Sequence, residues 1–82
     1  MNTQMQSQVA AKLTELKAGL PSTVEKIETE IRQWRETRDY CRDKGNKSAA
    51  EDAEAAAVAF IEILPPRVKA DYTAPAWMYG RL

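Results

Sequence analysis

An all-α domain of three helices is predicted by three observations on this 82-residue sequence. The segment 22–44 carries Val24, Ile27, Ile31, Trp34 and Cys41 at helical steps, with Arg38 filling the one gap in the stripe. Val, Ile and Thr nowhere alternate with polar residues, and three Gly and four Pro are too few for a turn-rich β protein. Seven alanines, the residue of highest helix propensity, crowd positions 49–59.

The first helix is placed at about 3–18. Val9, Leu13, Leu16 and Leu20 form its apolar stripe, and Thr3 with Gln6 makes a weak capping box. Gly19-Leu20-Pro21-Ser22 ends it, because Gly19 can adopt the left-handed conformation of a helix C-terminus and Pro21 cannot continue a helix. Leu20 and Val24 are four apart, so the two stripes stay in phase and one long helix kinked at Pro21 is the alternative. Gly and Pro together favour a turn.

The second helix spans about 23–44 and is the longest, about 33 Å at 1.5 Å per residue. Ser22 and Glu25 form a capping box at its start; Arg42 and Lys44 stand in its last turn before Gly45. The loop of Gly45 to Lys47 is short enough to set the next helix antiparallel and adjacent. Ser48 and Glu51 make a second capping box for a helix at about 49–64, whose small side chains allow a close approach. Val58, Phe60, Ile61, Ile63 and Leu64 surround the end of that helix, so it is expected to be buried all round and to need cover beyond the second helix. Pro65-Pro66 stops it. The tail, 65–82, is read as one short turn around Arg67 to Asp71 followed by an aromatic run.

Charge and composition narrow the function. Twelve basic and twelve acidic residues cancel, which removes the simplest case for a nucleic-acid or anionic-membrane partner. A single Cys allows no intramolecular disulfide and points to a reducing compartment. The first residues lack the charged start and apolar run of a signal peptide, and the longest apolar run, Ala55 to Ile61, is far short of the ~20 residues of a membrane span. A cytoplasmic protein with no membrane partner is expected.

Metal, cofactor and catalytic chemistry lack their parts. There is no His, and one Cys builds neither a zinc nor an iron–sulfur site. Glu51, Asp52 and Glu54 sit in the first turns of a helix, where they complement its dipole rather than ring a cation. No Ser, Cys or Thr stands in a recognisable arrangement with a base, and no glycine-rich loop can cradle phosphates. Cys41, on the apolar stripe near a helix C-terminus, reads as a small core residue. An enzyme is not expected, and no cofactor.

Two sets of residues carry the remaining functional signal. The basic half of the second helix, Arg32, Arg35, Arg38, Arg42, Lys44 and Lys47, exceeds Glu36, Asp39 and Asp43 by three and is the nucleic-acid candidate. Glu51, Asp52, Glu54 and Glu62 on the third helix oppose it, and Arg32–Glu36 and Arg35–Asp39 are spaced to pair along the helix, so compensation at home is the favoured reading. The protein-binding candidates are Trp77, Met78, Tyr79, Tyr72, Trp34 and Arg38. Trp and Tyr dominate interface hot spots, and Arg38 in an apolar stripe must reach solvent, pair with an acid or face a partner. The tail aromatics are weighed as cover for the end of the third helix as well as anchors for another protein. The function that fits best is a non-enzymatic protein-binding module, a small bacterial or phage regulator, inhibitor or adaptor that occupies a surface of a larger protein. A nucleic-acid binder and a structural homodimeric helical bundle are the alternatives.

Overall fold

Four helices make up the described residues, 3–73, of the computed structural model: α1 (Thr3–Ala18), α2 (Val24–Asp43), α3 (Lys47–Glu62) and α4 (Pro66–Thr73). The fold is all-α, and α2 and α3 form the antiparallel hairpin expected from their short loop. Helix–helix contact is concentrated between these two, with α1 and α4 touching the hairpin over much smaller areas. The described residues span 36 × 33 × 14 Å. Two helix layers at an interaxial distance of about 9 Å account for the short dimension, so the core is a single seam.

Between α1 and α2 the chain turns rather than kinks. The Gly19 and Leu20 N–H groups donate to the Leu16 and Lys17 carbonyls, closing the last turn of α1. The Leu20–Pro21 peptide is cis. Gly19 does not serve as a left-handed cap, since Gly45 alone has positive φ among the described residues. Its role is space: a Cβ there would lie 2.6 Å from Cγ2 of Thr23. The Ser22–Glu25 capping box is also corrected. Thr23 holds the N-cap position of α2 without a side-chain cap bond, and its hydroxyl donates instead to the Leu16 carbonyl. That bond, a second one on the Leu16 carbonyl beside that from the Gly19 N–H, ties the two helices at the turn.

The α2 C-terminus is a Schellman motif. Gly45, at φ 77°, donates to the Arg42 carbonyl and Asn46 to that of Cys41. The cap of α3 is Asn46, not Ser48: its side-chain oxygen accepts from the Ala49 N–H at 3.1 Å, so α3 begins at Lys47. At its other end the backbone tightens, with Ile63 and Leu64 donating to the Phe60 and Ile61 carbonyls, and α3 stops at Glu62 rather than Leu64.

The prolines that stop α3 also start α4. Val68 and Lys69 both donate to the Pro65 carbonyl, and Pro66 takes the first helical position, where its missing N–H costs nothing. The short turn expected at Arg67 to Asp71 is therefore an eight-residue helix within the segment read as tail. Its Val68 and Tyr72 pack against the core, and Lys69 pairs with Glu62 of α3 at 2.9 Å.

Phe60, Ile27 and Ile31 are the largest side chains with no exposed surface, joined by Val9 and Leu16 of α1 and by Leu64. Ala53, Ala56 and Ala57 are equally buried, which is what lets α2 and α3 approach closely. The end of α3 is covered by α1 and α4, though not on every side. Val58 is 44% exposed, on one face with Glu51, Ala55 and Glu62. No helix among the described residues is long and apolar enough to cross a membrane.

Candidate functional site

Two of the basic residues singled out, Arg35 and Arg38, are used inside the fold. Arg38 lies half-buried in the stripe, and its guanidinium donates to Glu54 of α3 at 2.5 Å and to Asp39 at 3.0 Å. The bond to Glu54, then that to Asp39, raises its pKa further above the ordinary arginine value. Arg38 is thus the polar tie between the two hairpin helices. The expected Arg35–Asp39 pair does not form, because Asp39 takes Arg38 and Arg35 turns toward α4. Nor is Arg32–Glu36 among the ion pairs of the described residues.

Arg35, Glu28 and Tyr72 form a clamp. The Arg35 guanidinium carbon stands 5.4 Å from the centroid of the Tyr72 ring, within cation–π range. The Tyr72 hydroxyl donates to Glu28, two turns earlier on α2, at 2.9 Å. Burial first, and then the bond to the Glu28 carboxylate, pushes the Tyr72 phenol above its ordinary pKa. Tyr72 therefore anchors α4 on α2. Trp77, Met78 and Tyr79 lie outside the described residues.

The nucleic-acid candidates do not form one basic surface. With Arg35 and Arg38 committed, Arg32, Arg42, Lys44 and Lys47 remain exposed. Lys44 sits 5.6 Å from the Tyr40 ring centroid. Arg42 and Lys47 border a hollow of about 330 Å³ at the hairpin end, over Ala50. Glu51 and Glu54 complete its rim, so its two positive and two negative charges cancel, and Glu54 already accepts from Arg38. The hollow follows from alanine leaving space under long charged side chains. It offers a partner neither a charge nor an aromatic anchor.

Trp34 stands in a different setting. It is half-buried, packs on the core cluster and lines a hollow of about 200 Å³ between α1 and α2, with Gln8, Val9 and Lys12 on one side and Glu30 on its own. Phe60 of α3 reaches the floor. A second hollow of about 270 Å³ continues along the same seam, between Lys12, Glu15 and Leu16 of α1 and Lys26, Thr29, Glu30 and Gln33 of α2. Lys12 and Glu30 border both. The two hollows adjoin along the α1–α2 seam, where they share Lys12 and Glu30.

Lys12, Glu15, Lys26 and Glu30 are in no ion pair among the described residues, as is also true of Arg42, Lys47 and Glu51 at the hairpin end. Leu13 packs on the core, and Val9, Leu16 and Phe60 beneath the seam are buried, so Trp34 is the apolar side chain with exposed surface there. Sequence periodicity flagged Trp34 and missed the four charges, since each occupies an ordinary solvent-facing position on its own helix. Cys41 is a free, half-buried thiol away from the groove, and no group of three or more His, Cys, Asp or Glu among the described residues is placed to hold a metal ion. No protein-family model matches the sequence, and comparison with curated proteins and with solved structures returns no match.

Proposed function

We propose that the protein is a non-enzymatic protein-binding module, and that the α1–α2 groove around Trp34 is its docking surface. The observation that carries this reading is the half-buried Trp34 indole, which borders the hollow between α1 and α2 beside Gln8, Lys12 and Glu30. An aromatic at the centre of a polar, hydratable rim is the usual layout of a binding hot spot. A regulator or adaptor that acts by occupying a surface needs nothing more. Binding through the basic half of α2 is less well supported, because Arg35 and Arg38 are held by Tyr72 and Glu54 and the remaining cations share their surface with acids.

The test is covalent capture in the cell. A photo-activatable cross-linking residue at Gln8, exposed on the groove rim, is compared with one at Ala55, exposed on the far face of α3. A discrete adduct from position 8, absent from position 55 and lost when Lys12→Glu is added, supports the reading. An adduct from position 55 alone, or none from either, overturns it.

A further inference from the structure

We infer that α4 is a latch, which opens as a unit about Pro65-Pro66 while the α2–α3 hairpin stays folded, and so uncovers the face of α2 around Ile31. Glu28 and Arg35 hold it rather than Trp34, so it is independent of the docking surface. Three observations set α4 apart from the other helices. α1, α2 and α3 each contribute buried apolar side chains, whereas none of residues 66–72 is buried. The last turn of α3 closes with the Leu64 N–H donating to Ile61, and the bonds of α4 begin at the Pro65 carbonyl; neither proline has an N–H to carry the ladder across. α4 meets α3 over a small area and reaches α2 through the Tyr72 side chain. An element with few buried apolar contacts and its own set of backbone bonds is the kind that opens locally at low cost.

What the latch covers follows from spacing on α2. Ile31 comes three residues after Glu28 and four before Arg35, which puts all three on one face of the helix. Tyr72, bonded to Glu28 and stacked on Arg35, therefore spans the position of Ile31, one of the largest side chains with no exposed surface. With α4 open, that side of Ile31 meets solvent. Arg35 Nε is buried without a hydrogen-bond partner among the described residues, and opening releases it to water, which offsets part of the cost. The closed–open equilibrium of α4 then sets how much of this surface the chain shows.

Hydrogen exchange of the full chain, read residue by residue by NMR, tests the latch with two variants. Asn46→Ala removes the cap of α3 about 24 Å along the helix from Glu62. Amides that exchange only when the hairpin unfolds, such as those of Ile31 and Ala57, should speed up about fivefold, the factor for a lost cap. Those of 68–72 should be unchanged, because the open form keeps the hairpin and its cap. Tyr72→Phe keeps the ring and deletes the bond to Glu28, and should speed the 68–72 amides by about three- to tenfold. Circular dichroism verifies that both variants are folded. In low urea the 68–72 amides of the unaltered chain should hold their rates while those of the hairpin rise, since local opening exposes little surface. Exchange of 68–72 in step with the hairpin, in Asn46→Ala or in rising urea, overturns the inference. So does a 68–72 segment indifferent to Tyr72→Phe.

Discussion

Replacing Gly19 with Ala places a methyl group 2.6 Å from Cγ2 of Thr23, well inside van der Waals contact. The backbone there has no positive φ, so the cost is one of space and not of conformation. Thr23 can yield only by rotating about χ1, which breaks its hydroxyl bond to the Leu16 carbonyl and forfeits about 0.5–1.5 kcal/mol. If it does not rotate, the crowding costs about 1–3 kcal/mol. Against this, Ala restricts the unfolded chain and returns about 0.4–1 kcal/mol. The net expectation for Gly19→Ala is a loss of about 1 kcal/mol, read as a lower urea midpoint with unchanged slope. Thr23→Ser removes Cγ2 and keeps the hydroxyl, so in that background the same Gly19→Ala change should stabilise by about 0.5 kcal/mol. A change of sign between the two backgrounds is the signature. Equal effects in both would refute the steric origin and return Gly19 to the role of a conformational cap.

Three further outcomes follow from contacts in the fold. Asn46→Ala should lower stability by about 1 kcal/mol while Ser48→Ala stays within about 0.5, because only Asn46 caps α3; chemical denaturation of the two variants decides it. A double-mutant cycle on Arg38→Ala and Glu54→Ala should give a coupling of about 0.5–1 kcal/mol, the range for a partly exposed pair, and a coupling near zero would dismiss the pair as a tie. Tyr72 has a phenol pKa raised in the folded state, so the folded chain holds that proton more tightly than the unfolded one. Its stabilisation is complete below about pH 10 and is lost as pH rises through the folded value. Tyr72→Phe should therefore flatten the alkaline limb of the stability–pH curve, and an unchanged limb would show that another group sets it.

Local signals in the sequence carried the helices, and failed where a contact joined distant residues. The α2 stripe and the Gly45 stop are legible because periodicity and a left-handed glycine act within a few residues; α1 also ends at the expected place, though without a left-handed Gly19. The caps were harder. Ser22 and Ser48 have the right chemistry, but Thr23 is spent on Leu16 and Asn46 directly follows the Gly45 turn, which places it where α3 begins. Pro65-Pro66 marked an end, and the same proline pair opens α4, since proline suits a first helical position as well as a stop. The tie of Tyr72 to α2 was not legible, because its partners, Glu28 and Arg35, lie some forty residues away and leave no trace in local spacing. Arg38 was legible as a misfit, but its choice of Glu54 depended on the register of the hairpin. The groove was beyond periodicity altogether, being set by how α1 crosses α2.

The central claim, that the α1–α2 groove is the working surface, is tested most directly by a lysine footprint. The protein is acetylated under mild conditions in whole-cell extract and, separately, as dilute purified chain, and each lysine is quantified by mass spectrometry. Lys12 and Lys26 on the groove should be protected in the extract, with Lys17, Lys44 and Lys47 equally reactive in both samples. Protection of Lys44 and Lys47 with Lys12 and Lys26 left open would contradict it and move the function to the basic half of α2.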